Sequence, residues 1–188
     1  MTHSASDEAL LAGFLSGDEA MFAELVHRYE RPLHAFICRL TGEPAIAPDL
    51  FQETFLRVVQ HAGRFEGRSR FKTWLYAIAA NQCRSHVRKQ ARRRLQHADA
   101  VPDPADAGPG PNGTAQAAQI GEHIARAVAV LPPAQREVFV LRTYDEMPYA
   151  QIAETLGRPL GTVKTQMRAA LQKLRRELHS IAEAYGVS

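Results

Sequence analysis

Cysteine is nearly missing from this chain. Cys38 and Cys83 stand alone among 188 residues and form no Cys-x-x-Cys pair, so neither a disulfide framework nor a four-thiolate zinc site can be built. A reducing cytoplasm fits that usage. No apolar run reaches the length of a membrane span, and the amino terminus lacks the basic-then-apolar pattern of a signal peptide; the chain is expected to be cytoplasmic, without membrane insertion. Catalytic motifs are missing too: there is no Gly-x-Ser-x-Gly, no His-Glu-x-x-His, and Gly157 to Gly161 is followed by Thr162 rather than the lysine of a phosphate loop. The expectation is therefore no enzyme, no catalytic residue and no cofactor. His34 and Cys38, spaced i, i+4, would supply half of a metal site, but no second pair accompanies them, and no metal is expected.

What is present is charge in blocks. Residues 1–56 carry nine acids against three bases, residues 57–94 eleven bases against one acid, and residues 157–176 six bases and no acid. Two separated basic blocks suggest two contacts with a polyanion, and the acidic first segment suggests a different partner. In the first basic block Phe65, Phe71, Trp74 and Tyr76 are interleaved with Arg64, Arg68, Arg70, Lys72, Arg84, Arg88 and Lys89. Rings stack on unpaired bases and cations hold phosphates, which suits single-stranded nucleic acid. The same residues also suit a core stripe flanked by a solvated basic face, and this stretch by itself does not separate the two.

The periodicity is helical throughout. Leu10, Leu11, Phe14 and Leu15 fall on one face before Ser16-Gly17, and Asp18 is placed to cap the next helix. Phe22, Leu25, Val26, Tyr29, Leu33, Phe36, Ile37 and Leu40 continue the stripe, with Pro32 expected to kink or briefly break it. Pro48-Asp49 opens a helix with Leu50, Phe51, Phe55, Leu56, Val58 and Val59 as its apolar members; Asp49, Gln52, Glu53 and Arg57 share its polar face. Phe71 starts a long helix whose stripe runs through Leu75, Ile78, Ala79, Cys83 and Val87, leaving a basic ridge with Lys72, Tyr76, Asn81, Arg84, Arg88 and Lys89 outside.

From residue 96 to 118 prolines, glycines and alanines alternate with aspartates, the composition of a flexible linker. Helical period returns at Ala117, Ile120, Ile124, Val128 and Leu131, stops at Pro132-Pro133, and resumes. Tyr149 to Leu156 predicts a short helix, Gly157-Arg158-Pro159 a tight turn, and Gly161 onward a longer helix with Val163, Met167, Ala170, Leu171, Leu174 and Leu178 on one side. That is a helix-turn-helix, and Thr162, Lys164, Thr165, Gln166 and Arg168 lie exposed near the start of its second helix, the end that a major groove receives. The fold expected is all-α: a helical domain over 5–95, the linker, and a second small helical domain over 119–185.

Three stretches together resemble one family, the extracytoplasmic-function group of sigma-70 factors: Asp49-Leu50-Phe51-Gln52-Glu53-Thr54-Phe55-Leu56-Arg57, Phe71 to Asn81, and Tyr149 to Ala153 followed by Gly161-Thr162-Val163-Lys164. The resemblance implies a dissociable initiation subunit of bacterial RNA polymerase, with core polymerase and promoter DNA as partners. It implies that Asp49, Gln52, Glu53 and Arg57 bind the polymerase clamp helices. It implies that Phe65, Lys72, Trp74, Tyr76, Asn81, Arg84 and Arg88 read and open the −10 element, and that Thr162, Lys164, Thr165, Gln166 and Arg168 read the −35 element. Ser85 stands where many members carry Asp, and Gln166 where many carry Arg. An anti-sigma factor is a further partner the resemblance allows, though no residue identifies one. The competing reading is a stand-alone helix-turn-helix regulator that binds duplex DNA without polymerase, which leaves the acidic helix and the aromatic-basic block without a task.

Overall fold

Ser6 and Asp18 begin the first two helices by the same device, a side-chain oxygen that accepts from a backbone N–H otherwise left unpaired: Ala9 N–H at 3.2 Å and Ala20 N–H at 3.0 Å. The structure is a computed structural model that describes residues 5–96 and 115–184; among them are eight α-helices and no strand. Helices α1 (Asp7–Leu15), α2 (Glu19–Thr41), α3 (Ala47–His61) and α4 (Phe71–Gln96) make an N-terminal unit. Helices α5 (Ala115–Ala129), α6 (Pro133–Thr143), α7 (Tyr149–Leu156) and α8 (Leu160–Ala184) make a C-terminal unit. The greater part of the 96–118 linker lies outside the described residues.

Helix α2 runs through Pro32 without a break, and ends at Gly42, whose φ of 74° lets its N–H turn back to the Cys38 carbonyl. Leu25, Leu33, Phe36 and Ile37 of α2 meet Leu50, Phe55 and Val58 of α3 and Phe71, Leu75 and Ala79 of α4 in the core. Val138, Val140 and Leu141 of α6, Ile152 of α7 and Val163 and Ala170 of α8 continue the same buried cluster into the C-terminal unit. Buried hydroxyls are satisfied locally: Thr54 donates to the Leu50 carbonyl at 2.7 Å and Thr41 to the Ile37 carbonyl at 2.8 Å.

Several apolar positions differ from expectation. Leu56 and Val59 of α3 are 61% and 44% exposed, and Leu171 and Leu178 of α8 are 47% and 38% exposed. In each helix the apolar stripe is wider than the surface packed against it, so its edge faces solvent.

The two units touch. Helix α4 lies against α7, and α2 lies against α5 and α6. Arg136 of α6 reaches across to the Leu40 carbonyl at 3.0 Å, near the end of α2, while also donating to the Leu131 and Ala129 carbonyls on its own side. Burial pushes its guanidinium below its ordinary pKa, as happens to a cation that meets carbonyls instead of water.

Cys83 is 2% exposed and its thiol is pushed up to about 12, by burial first and by the nearby Glu137 charge second. Cys38, half-buried beside His34, is raised by burial to a smaller extent. Because the thiolate is the nucleophile, alkylation of the native chain near pH 8 is expected to modify Cys38 first and Cys83 only after unfolding. Peptide mapping of partially alkylated protein checks this, and prompt native labelling of Cys83 would contradict its burial. Among the described residues no cluster of three or more His, Cys, Asp or Glu is placed to hold a metal ion.

Candidate nucleic-acid interface

Helix α3 presents its polar face to solvent as periodicity requires. Asp49, Gln52, Glu53 and Arg57 are all exposed, and Arg57 pairs with Glu53 one turn away at 3.0 Å. Leu56 falls on the same face as Asp49, Gln52 and Glu53, at i, i+3, i+4 and i+7. The surface is thus an acidic-polar patch with an exposed leucine in it, a residue that sequence reasoning assigned to the core.

The aromatic-basic stretch is more tightly built than its composition suggests. The loop from Phe65 to Arg70 folds over the start of α4, where the Phe65 and Trp74 rings lie 5.1 Å apart and the Phe71 ring sits 6.0 Å from Trp74. Phe71 is fully buried; Phe65 and Trp74 are half-buried, so these two offer ring surface to a ligand. Helix α4 has no acid in its first turn, and that need is met from a distance: the Glu8 carboxylate of α1 accepts the Phe71 N–H at 2.8 Å. Nothing in the neighbouring residues announces it.

Tyr76 departs from the expected ridge. Instead of standing outside it is fully buried, with its ring 4.9 Å from Phe36, and its hydroxyl donates to Asp145 Oδ1 of the C-terminal unit at 2.6 Å. Burial, and then the Asp145 charge, hold the phenol far above its usual range, so it stays a proton donor. Burial also raises the Asp145 carboxyl, against the opposing pull of the Tyr76 hydrogen bond, Lys72 and Arg39. Lys72 donates to the Asp145 carbonyl at 3.0 Å, and Arg84 pairs with Glu137 at 3.2 Å. Asn81, Arg88 and Lys89 are exposed, and the Asn81 amide oxygen accepts from Arg84. The ridge is therefore divided: one part faces solvent and the other is held by the second unit.

The helix-turn-helix forms as its residues dictate. Gly157 takes φ 62°, a conformation costly to any residue with a Cβ, and the Arg158 N–H closes the turn on the Ala153 carbonyl at 2.9 Å. Val163 and Met167 anchor α8 in the core, which leaves Thr162, Lys164, Thr165 and Arg168 exposed on its outer side. Gln166 is half-buried, and its side-chain oxygen accepts from Arg158 at 3.0 Å. Arg158 in turn pairs with Glu137, a carboxylate that is 3% exposed. Asp145 and Glu137, which hold Tyr76 and Arg84 among these candidate residues, were not picked out from the sequence, where their one signal is that they are acids lying between two basic blocks.

Comparison with known proteins gives the arrangement a relation. Residues 25–93 match the family model for sigma-70 region 2, and residues 122–174 match that for sigma-70 region 4. The ECF RNA polymerase sigma factor RpoE of Cereibacter sphaeroides is 30% identical over 168 residues, covering 86% of this chain and 88% of the relative. The ECF RNA polymerase sigma factor SigW of Bacillus subtilis is 29% identical over 177 residues, covering 88% and 92%. Among solved structures, the sigma factor RpoE from Bartonella quintana, in complex with the anti-sigma factor NepR, matches with a TM-score of 0.73 at 25% identity over 84% of this chain and 96% of that one.

Proposed function

The chain belongs to the sigma-70 family, in its ECF group, and acts as a sigma factor that takes core bacterial RNA polymerase to promoters; from that premise we propose which of its surfaces performs each step. The α3 patch of Asp49, Gln52, Glu53 and Arg57 docks on the polymerase clamp helices. Phe65, Lys72, Trp74, Tyr76, Asn81, Arg84 and Arg88 receive the opened −10 strand. Thr162, Lys164, Thr165, Gln166 and Arg168 read the −35 duplex. No step in this scheme makes or breaks a covalent bond in the chain. No helix among the described residues is long and apolar enough to cross a membrane, and the scheme places the chain with polymerase in the cytoplasm. An anti-sigma protein is a partner of the same class as that bound to the Bartonella relative.

The observation that carries the reading is the exposed amino-terminal end of α8, with Thr162, Lys164, Thr165 and Arg168 turned outward beside a glycine-closed turn. Arginine paired with a guanine edge supplies the commonest base discrimination in a major groove, and threonine and lysine suit phosphates.

Magnitudes explain why polymerase is needed. Parting five stacked base pairs costs about 7 kcal/mol, at roughly 1.4 kcal/mol per step. Ring stacking returns about 1–3 kcal/mol per base. Phe65 and Trp74 are only half-exposed and Tyr76 is buried, so the chain by itself cannot recover the cost. Polymerase has to hold the flanking duplex and position both units.

The test is run-off transcription with purified core polymerase on a pool of random promoters. Transcripts that start only when the chain is added support the reading, and DNA binding without any such transcripts favours a stand-alone regulator. On a promoter recovered from that pool, Arg168→Ala is expected to lower initiation about 10- to 100-fold, the worth of one base-reading pair. A premelted template should respond little to the change, and equal losses on both templates would refute the assignment of Arg168 to duplex reading.

A further inference from the structure

The turn between α7 and α8 fixes one side chain of α8. Arg158, in that turn, pairs with the buried Glu137 and donates through Nη1 to the Ala134 carbonyl at 3.2 Å, so two groups of α6 hold its guanidinium. The same Nη1 donates to Gln166 Oε1 at 3.0 Å. Arginine carries donors and no acceptor, so the amide atom that meets it is necessarily the oxygen. Gln166 Nε2 has no hydrogen-bond partner among the described residues and is not one of their buried unpaired atoms, so it opens to solvent. The two ends of the amide are thereby sorted, with the acceptor toward the turn and the donors outward. Ala134, Glu137, Arg158 and Gln166 all belong to the C-terminal unit, so the arrangement does not depend on where that unit sits against the rest of the chain.

That sorting decides what the residue can read. An unrestrained glutamine reads adenine by aiming both ends of its amide at one base edge, the oxygen accepting from N6 and the nitrogen donating to N7. With Oε1 turned to Arg158, the paired geometry is lost. What remains is an outward N–H2 group with two hydrogens, and guanine is the base that sets two acceptors, N7 and O6, side by side in the major groove. Adenine sets a donor beside its acceptor and cytosine offers a donor, so both oppose that group, while thymine offers O4 beside a methyl. We propose that Arg158 is a positioning residue for base recognition, and that through it Gln166 reads guanine in the −35 duplex instead of adenine. This rests on the place given above to Gln166 among the residues that face that duplex.

The test selects duplexes randomised over the upstream element, with the full chain plus core polymerase and with the full chain alone, and sequences the bound fraction. One position is expected to lose its preference in Gln166→Ala, and there the wild-type chain should favour guanine over adenine about 5- to 100-fold, the worth of a two-bond base contact. Gln166→Glu keeps an acceptor for Arg158 and removes the donor, so the preference at that position should pass from guanine to cytosine, whose N4 donates. Arg158→Met should let the amide turn and bring adenine level with guanine at that position, leaving preferences elsewhere in the element unchanged; circular dichroism checks its fold. A merely structural role for Arg158 would instead lower binding equally at every sequence, and that result would overturn the positioning. Gln166→Glu leaves Arg158 in place and decides the orientation by itself: guanine retained there, or adenine preferred by the wild-type chain, would overturn it while keeping Gln166 a base reader. No position altered by either Gln166 variant would remove Gln166 from the reading set, and the Arg168→Ala comparison reports separately on α8. No selected motif in either arm would overturn base reading by α8 altogether.

Discussion

Reversing Asp49 and Glu53 to Lys together is expected to abolish co-purification with core polymerase while leaving the helical fold intact. Both side chains stand on the exposed face of α3, and within the chain the reversal breaks the Glu53–Arg57 pair, whose side chains are 47% and 48% exposed. Such an i, i+4 pair contributes about 0.3–0.5 kcal/mol. Moving a positive charge into the first turn of α3 costs about another 0.3–1 kcal/mol against the helix dipole. The chain should tolerate that sum. At an interface the balance differs, because close charge pairs between proteins carry about 1.5–7 kcal/mol each, and reversal turns attraction into repulsion. Two reversals therefore predict a loss of at least about 100-fold in affinity. Affinity pull-down of core enzyme, with far-UV circular dichroism as the check on folding, decides the matter; undiminished pull-down would remove α3 from the interface.

Phe36→Ala should produce the largest loss of stability. Phe36 is fully buried in α2, edge-on to Tyr76 with ring centroids 4.9 Å apart. Truncating a buried phenylalanine costs about 3–5 kcal/mol through lost transfer energy and the cavity left behind. For a chain of this size, with about 2–4 °C in Tm for each kcal/mol, the melting temperature should fall by roughly 10–15 °C. Leu56→Ala is the comparison, since that leucine is 61% exposed and its loss should move Tm by little. Thermal melts followed at the helical signal would show the contrast, and similar Tm values for the two variants would contradict the assigned burial. Because Phe36 supports Tyr76 and Tyr76 holds Asp145, the same substitution should also loosen the contact between the units.

How much of this was legible beforehand depends on how far apart in the chain the interacting groups lie. Helix limits were readable wherever a cap or a breaker sits beside them. Asp18, Gly42, Pro133 and Gly157 each act on their own turn, and Tyr149 to Leu156 was readable to the residue. Thr162, Lys164, Thr165 and Arg168 were readable as outward because Val163, Met167, Ala170 and Leu174 turn the other side of α8 into the core, whereas Gln166, half-buried on Arg158, was not. Nor was Tyr76. Periodicity within α4 places it on the rim of the stripe, and what holds it inside is ring packing on Tyr29 and Phe36 of α2 and a hydroxyl partner, Asp145, 69 residues further on, none of which a local pattern announces. The Glu8 cap on Phe71, 63 residues away, is hidden for the same reason. Leu56 and Val59 were misplaced differently, because an apolar residue at the stripe's edge is indistinguishable in sequence from one in the core until the packed neighbour is known.

Trp74 is the only tryptophan in the chain, and it lies against Phe65 where the glycine-containing loop meets α4. Ultraviolet emission excited at the red edge of indole absorption, where tyrosine contributes little, therefore originates from that single spot. The molecule carries a built-in optical reporter at the place where strand separation is assigned, so quenching or spectral shift on adding DNA or polymerase can be assigned to one side chain without any attached dye.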